Sequence, residues 1–261
     1  MINVKIVDKH PTFRETLAQF LDRHGTADIF SIEIEVERLE NFGMIYHDEF
    51  DRIDEGSLRY FGVEFVSVQP TRLEVLKTDV TELLDKLKFN ECFFSHRSSI
   101  HVHANVIHRT FADLKDIIRF YYLFEPLFFK FLGRRRNKNN FCVPLRQSHV
   151  SLTRSFPMST ILNTWGAVFP KYGALSLNRL GQGSLDIHAL GTVEWRACPG
   201  TFDTKQILFP WLNMIEFIHT NSSLIHTETL ENLNIKVHQI LGISYSEDEL
   251  QEEQITLKRM K

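Results

Sequence analysis

Ser31-Ile-Glu-Ile-Glu-Val-Glu37 alternates apolar and acidic side chains without a break. Successive side chains of a strand point to opposite faces, so Ile32, Ile34 and Val36 line one face and Glu33, Glu35 and Glu37 the other. The apolar face needs cover, and the acidic face needs water or cations. Glu33 and Glu35 stand roughly 6.5 Å apart at Cα, because a strand rises about 3.3 Å per residue. That spacing lets two carboxylates ligate neighbouring cations or hold one ion from two directions. An ordinary wet sheet face has the same spacing.

Downstream, Phe61 to Val68 (FGVEFVSV) predicts a second strand with Glu64 among apolar neighbours, ended by Pro70. A strand this apolar is expected to be buried on both sides, so its one carboxylate needs a partner or a cation. Leu73, Leu76, Val80, Leu83, Leu84 and Leu87 then recur at helical spacing between Thr71 and Phe89. SIHVHANV from Ser99 alternates again, with His101, His103 and Asn105 on one face. A Phe-rich helix is expected over Thr110–Leu132, kinked or split at Pro126. Shorter helices are predicted at Phe13–His24 and Met158–Phe169, and strands at Gly173–Leu180, Ser184–Gly191 and Thr192–Cys198. Phe202–Thr220 and Thr229–Leu241 read as helices, and the charged end from Ser246 as a fraying tail. The pattern is that of an α+β domain: a mainly antiparallel sheet with a polar face, backed by helices that use up much of the 22 phenylalanines.

Composition sets outer limits. The chain has 261 residues, 33 acidic and 30 basic, for a formal net charge of −3. Bulk charge excludes a polybasic nucleic-acid binder, and the apolar content excludes an acidic disordered chain. Cys92, Cys142 and Cys198 lie far apart, so neither a disulfide framework nor a CxxC zinc pattern can be built, and a reducing, cytoplasmic compartment is expected. MINVKIVDKH carries Lys5, Asp8 and Lys9 where a signal peptide needs its apolar core. The greasiest stretch, IIRFYYLFEPLFFKFLG from Ile117, is broken by Arg119, Glu125 and Lys130, too charged for a membrane span.

Two pairs add to the acidic row. His101 and His103 form an HxH pair, which is either a packed pair or part of a mixed Glu/His metal site. Oxygen-rich ligation suits Mg²⁺ or Mn²⁺, and a His-dominated site suits zinc. Glu194 and Arg196 bracket Trp195. They read as a cross-strand salt bridge, or as a metal-ligating carboxylate beside an arginine aimed at an anion, since a planar guanidinium matches phosphate. No Walker A loop, GxGxxG or GxSxG is present, so phosphate chemistry here would rest on metal ions and arginines. GRRRNKNN from Gly133 admits three readings: a solvated loop, a clamp for a nucleotide or anionic substrate, and a nucleic-acid contact that lacks interleaved aromatics.

The order of motifs is more specific than any one of them. S-I-E-I-E, then E-G-S-L with G-V-E-F-V-S-V-Q-P, then I-H-V-H, Y-G-A-L-S-L-N and G-T-V-E-W-R-A-C-P-G-T-F-D resemble the amidoligase family from about Ser31 to Ile218. These are small relatives of glutamine synthetase and glutamate–cysteine ligase. The resemblance implies a glutamine synthetase-like catalytic domain over residues 30–220, with a curved, mainly antiparallel sheet. An N-terminal extension (1–29) would precede it, and a C-terminal helix and charged tail (221–261) would follow. It also implies an ATP-dependent carboxylate–amine ligase that uses Mg²⁺ or Mn²⁺. ATP, a carboxylate and an amine (an amino acid or peptide among the options) would be its ligands, with no membrane and no nucleic acid.

Residue by residue, Glu33, Glu35, Glu64, His101 and Glu194 match the family's metal ligands, and Arg196 the arginine that contacts the transferring phosphoryl group. His103, Asn178 and Arg179 fall at nucleotide- or substrate-facing positions. Where the family has D-G-S, this chain has Asp54-Glu55-Gly56-Ser57, which puts Glu55, or Asp54 beside it, at the acidic position. The same acid is the expected base for the incoming ammonium. Ser99 replaces a common glycine and is expected to change only a backbone turn. A phosphotransferase on the same fold and an inactive binding protein are the alternative functions.

Overall fold

The alternating stretches become strands, and each apolar face is covered by helices. The structure is a computed structural model that describes residues 28–40, 45–133, 136, 142–147, 173–177 and 191–260. Asn178, Arg179, the helices expected at 13–24 and 158–169, and nearly all of the strand expected at 184–191 lie outside the described residues.

The strands are β1 (Phe30–Arg38), β2 (Phe50–Asp54), β3 (Phe61–Ser67), β4 (Ser99–Asn105), β5 (Leu175–Ser176) and β6 (Thr192–Pro199). They form one sheet in the order β2-β3-β1-β4-β6-β5, and every neighbouring pair is antiparallel. β2 had no counterpart in the sequence reading. FDRID buries only Phe50 and exposes the rest, so an edge strand of this kind carries no clear period. Glu64 is half-buried rather than enclosed on both sides, because β3 neighbours that exposed edge.

Among the described residues six α-helices accompany the sheet: α1 (Leu73–Phe89), α2 (Phe111–Leu132), α3 (Phe209–Asn221), α4 (Leu224–Thr227), α5 (Leu230–Leu241) and α6 (Glu247–Met260). The six apolar residues that repeat along α1 are all buried. A capping box opens α2, in which the Thr110 hydroxyl accepts from the Asp113 amide and the Asp113 carboxylate accepts from the Thr110 amide. α2 packs on β6 and α3, and α1 on β1 and α3. The core between layers takes Ile32, Ile34, Val102, Phe120, Phe124, Trp195 and Trp211, all with 1% exposure or less. Among the described residues no helix is long and apolar enough to cross a membrane.

Pro126 neither ends nor splits α2, which runs unbroken for 22 residues. Proline has no N–H to give the Tyr122 carbonyl one turn back. Arg146 takes that place, donating from Nε to Tyr122 O at 2.8 Å and from Nη2 to Leu123 O at 3.0 Å. The same guanidinium makes a two-pronged pair with Glu253 of α6, at 2.8 and 2.7 Å. Glu125, buried in α2, accepts the Leu145 and Arg146 amides at 2.6 and 2.8 Å and so fixes the turn that carries Arg146.

The end of the chain from Ser246 is therefore no fraying tail. It is a helix that buries Leu257 and Met260 and is pinned through Glu253. Arg146→Met should lower unfolding stability by about 2 kcal/mol, because the buried Glu253 and two α2 carbonyls lose a half-buried partner together. Urea denaturation would measure this, with faster amide exchange confined first to 247–260. An unchanged midpoint would show that the pair contributes nothing.

Candidate functional site

The strand order brings the ionisable side chains of the sequence reading onto one sheet face. β1 lies between β3 and β4, and Glu33 stands level with His101, Glu35 with Glu64 and His103 with Glu194. The period of two then turns Glu33, Glu35, Glu64, His101, His103, Glu194 and Arg196 away from the helices. His101, His103, Glu194 and Arg196 are buried, and Glu33 is half-buried.

Glu33 is the hub. Its Oε1 lies 2.9 Å from His103 Nε2 and its Oε2 3.2 Å from His101 Nδ1. Among the described residues two groups of three potential metal ligands share it: Glu33, Glu64 and His101, and Glu33, His103 and Glu194, with ligand atoms mutually within 4.8 Å in each. Burial alone would push the Glu33 carboxyl up. The hydrogen bonds and charges of His101 and His103 outweigh it and hold the group well below the usual carboxylate range. Glu64 goes the other way. Burial first, then the charges of Glu33 and Glu35, push it up to about 8.

Arg196 donates through Nη1 to Glu194 Oε1 and comes within 3.4 Å of His101 Nδ1. Burial opposes charge on both partners, yet the pairing lowers the Glu194 pKa and raises that of Arg196. Ser99 does more than adjust a turn. Its hydroxyl donates to Glu35 Oε2 at 2.5 Å and lies 2.7 Å from His101 Nε2. A hydroxyl that gives its proton to Glu35 accepts from His101, so Nε2 carries a hydrogen and the Glu35–Ser99 pair fixes the ring whose Nδ1 faces Glu33. The sequence held the signal, since Ser99 is two residues before His101 on the same strand face. Thr192 acts similarly on His103, with Oγ1 at 3.2 Å from Nδ1.

Glu35 is level with Glu64 but belongs to neither three-residue group; its hydrogen bond goes to Ser99. His103, placed by the resemblance toward nucleotide or substrate, stands in the second group. Glu55 sits in the β2–β3 turn, where Oε1 accepts the Ser57 amide at 2.8 Å, and its charge adds to the upward push on Glu64. Glu37, at the end of the acidic row, is fully buried. Its Oε1 accepts from the Arg59 amide at 2.9 Å and the Ser95 hydroxyl at 3.0 Å, tying the β2–β3 turn to the approach to β4. Gly62 is required across from that turn, as a Cβ there would lie 2.2 Å from Leu58 Cβ. Of GRRRNKNN only Gly133 and Arg136 are described, and Arg136 is buried rather than solvated.

Comparison with known proteins bears on this arrangement. No curated protein matches the chain. Residues 15–217 match the family model described as "Putative amidoligase enzyme", a span that begins ahead of Ser31 and takes in β1 to β6. Every strand of the acidic face thus lies inside the match, which covers most of the sequence, and the chain belongs to the amidoligase family.

Proposed function

We propose that the protein is an ATP-dependent carboxylate–amine ligase that works through an acyl phosphate. Family membership supports a ligase in general. The observation that carries the finer reading is the pair of ligand groups sharing Glu33, with Arg196 at their edge.

The donor set fits divalent cations. Three carboxylates and two imidazoles converge, one carboxyl is pushed up to about 8 by burial and then by the negative charge around it, and the His101 ring is oriented by Ser99. Glu33, Glu64 and His101 would hold one Mg²⁺ or Mn²⁺, and Glu33, His103 and Glu194 a second. Such ions supply charge neutralisation for the phosphates of ATP. Glu35 acts through Ser99 to hold the His101 ring, so its role is positioning. A glutamine synthetase-like fold is part of the same proposal, supported by the antiparallel sheet with its ionisable groups gathered on one face.

In the proposed reaction a substrate carboxylate oxygen attacks the γ-phosphorus of ATP, and the bond to the β-phosphate oxygen breaks to release ADP. Arg196 donates to the equatorial oxygens of the moving phosphoryl group, a role that suits a planar fork held by Glu194. The amine then attacks the acyl carbon and expels inorganic phosphate, leaving the amide. The ammonium must first lose a proton, and Glu55, whose charge acts on Glu64, takes that role, with Asp54 beside it as the alternative. Substrate contacts by Asn178 and Arg179 belong to this proposal as well.

The test is ADP release from Mg-ATP with pooled amino acids and polyamines, with hydroxylamine added to trap the acyl phosphate as a hydroxamate. Hydroxamate that depends on both ATP and metal is the expected result. A stable phosphorylated product with no hydroxamate would favour a phosphotransferase instead. Arg196→Lys keeps the charge but loses the fork, and should lower kcat by roughly a hundredfold with little change in Mn²⁺ affinity. Equal kcat in the two proteins would remove Arg196 from the mechanism.

A further inference from the structure

β6 does not pair regularly with β4. Val102 is level with Trp195 but Ile100 with Cys198, so two residues, Arg196 and Ala197, stand against His101 alone. This is a β-bulge, and bulges bend a strand and re-aim the side chain at the extra position. Here that position belongs to Arg196, beside His101 and bonded to Glu194. The bulge also shifts the alternation by one, so that Cys198 joins Val193 and Trp195 as a buried apolar residue.

A bulge leaves carbonyls that the neighbouring strand cannot match. Successive carbonyls of a regular strand point to opposite edges, out of reach of a single side chain. At this bulge one guanidinium reaches two of them. Arg136 donates from Nη2 to Arg196 O at 2.7 Å and from Nε to Ala197 O at 3.3 Å. It is 5% exposed, so these are buried bonds. On the other side of Arg196, its own amide is taken by Ala174 O at 2.9 Å. Both backbone polar groups of Arg196 are therefore tied to segments outside β4.

We propose that Arg136 is a positioning residue: its fork holds the bulge of β6 open and thereby aims the Arg196 guanidinium. The inference rests on the reading of Arg196 given above, as the donor to the moving phosphoryl group. It assigns the third arginine of GRRRNKNN a role inside the protein, behind the site. Lysine cannot replace it, because a single ammonium does not reproduce two donors at fixed spacing.

The experiment compares wild type, Arg136→Lys and Arg196→Lys as full chains, with Mg-ATP and pooled amino acids and polyamines. ADP release gives kcat and the KM for ATP, and Mn²⁺ titration reports the metal groups. For Arg136→Lys the expected result is a loss of roughly ten- to a hundredfold in kcat, with the KM for ATP and Mn²⁺ affinity nearly unchanged. If Arg136→Lys melts earlier but turns over at the wild-type rate, Arg136 is merely structural and the inference falls. If Arg196→Lys itself loses nothing, the reading of Arg196 has failed, a result distinct from failure at Arg136. A crystal structure of Arg136→Lys decides the geometry whatever the turnover. A regular β6, or a displaced Arg196, supports the proposal, and an intact bulge with Arg196 in place overturns it. Should Arg136→Lys not fold, Arg136→Gln retains one donor and permits the same measurements.

Discussion

Glu33→Gln is expected to abolish ATP-dependent turnover and to weaken Mn²⁺ binding at both ligand groups together. The argument is one of shared membership. Glu64 and His101 serve one group, His103 and Glu194 the other, and Glu33 both. Losing a carboxylate from one group removes part of the charge stabilisation of a phosphoryl transfer, while losing the shared one affects every ligand position. The expected loss in kcat is on the order of 10³-fold, larger than for Glu64→Gln or Glu194→Gln alone. Calorimetric titration with Mn²⁺ separates the cases. Wild type should take two ions, Glu64→Gln and Glu194→Gln should each keep one strong site, and Glu33→Gln should keep none. A Glu33→Gln protein that still binds two ions with unchanged affinity would sink the shared-ligand arrangement. Circular dichroism of the metal-free variant guards against mistaking unfolding for lost ligation.

The sequence made the faces of this site legible but not its partnerships. Glu33, Glu35, His101, His103, Glu194 and Arg196 announce themselves through the period of two, which is a local property. Which carboxylate meets which imidazole depends on register, and register is set by long-range pairing of strands, with partners as distant as Ser99 and Pro199. Hence Glu35, which the motif pairs with Glu33, turns out bonded to Ser99, and His103 stands among candidate ligands. The bulge at Arg196 left no mark, since T-V-E-W-R-A-C-P reads as plausible regular alternation until its apolar end. α6 was misread for a related reason. EDELQEEQITLKRM has few apolar residues, and its anchor is an arginine more than a hundred residues away. By contrast α1 and α2 were readable, because their buried stripes are dense and continuous.

The second large effect concerns acid. His219 of α3 is fully buried behind the site, where Nε2 accepts the Trp195 indole N–H at 3.1 Å. That bond requires a neutral ring with its hydrogen on Nδ1. Burial, followed by the nearby Arg109 charge, pushes the His219 pKa down from 6.5 to about 3. Between those values the unfolded chain binds a proton that the folded one refuses, so stability falls as pH drops. The contribution is fully present above pH 6.5, and the total loss by pH 3 is on the order of 4 kcal/mol. Glu125 acts in the opposite sense. Burial outweighs its hydrogen bonds and raises it from 4.5 to about 7, so the folded state holds the extra proton there and stability falls as pH rises. The two slopes oppose each other between 4.5 and 6.5, and the wild-type curve alone hides both. His219→Gln separates them, since glutamine can accept from the Trp195 indole but does not titrate. Urea denaturation of both proteins from pH 5 to 8 should show a constant difference above pH 7. Below about 6.5 the difference should move against the wild type by up to about 1.4 kcal/mol per pH unit. Parallel curves across that range would mean that His219 takes up its proton without leaving the fold.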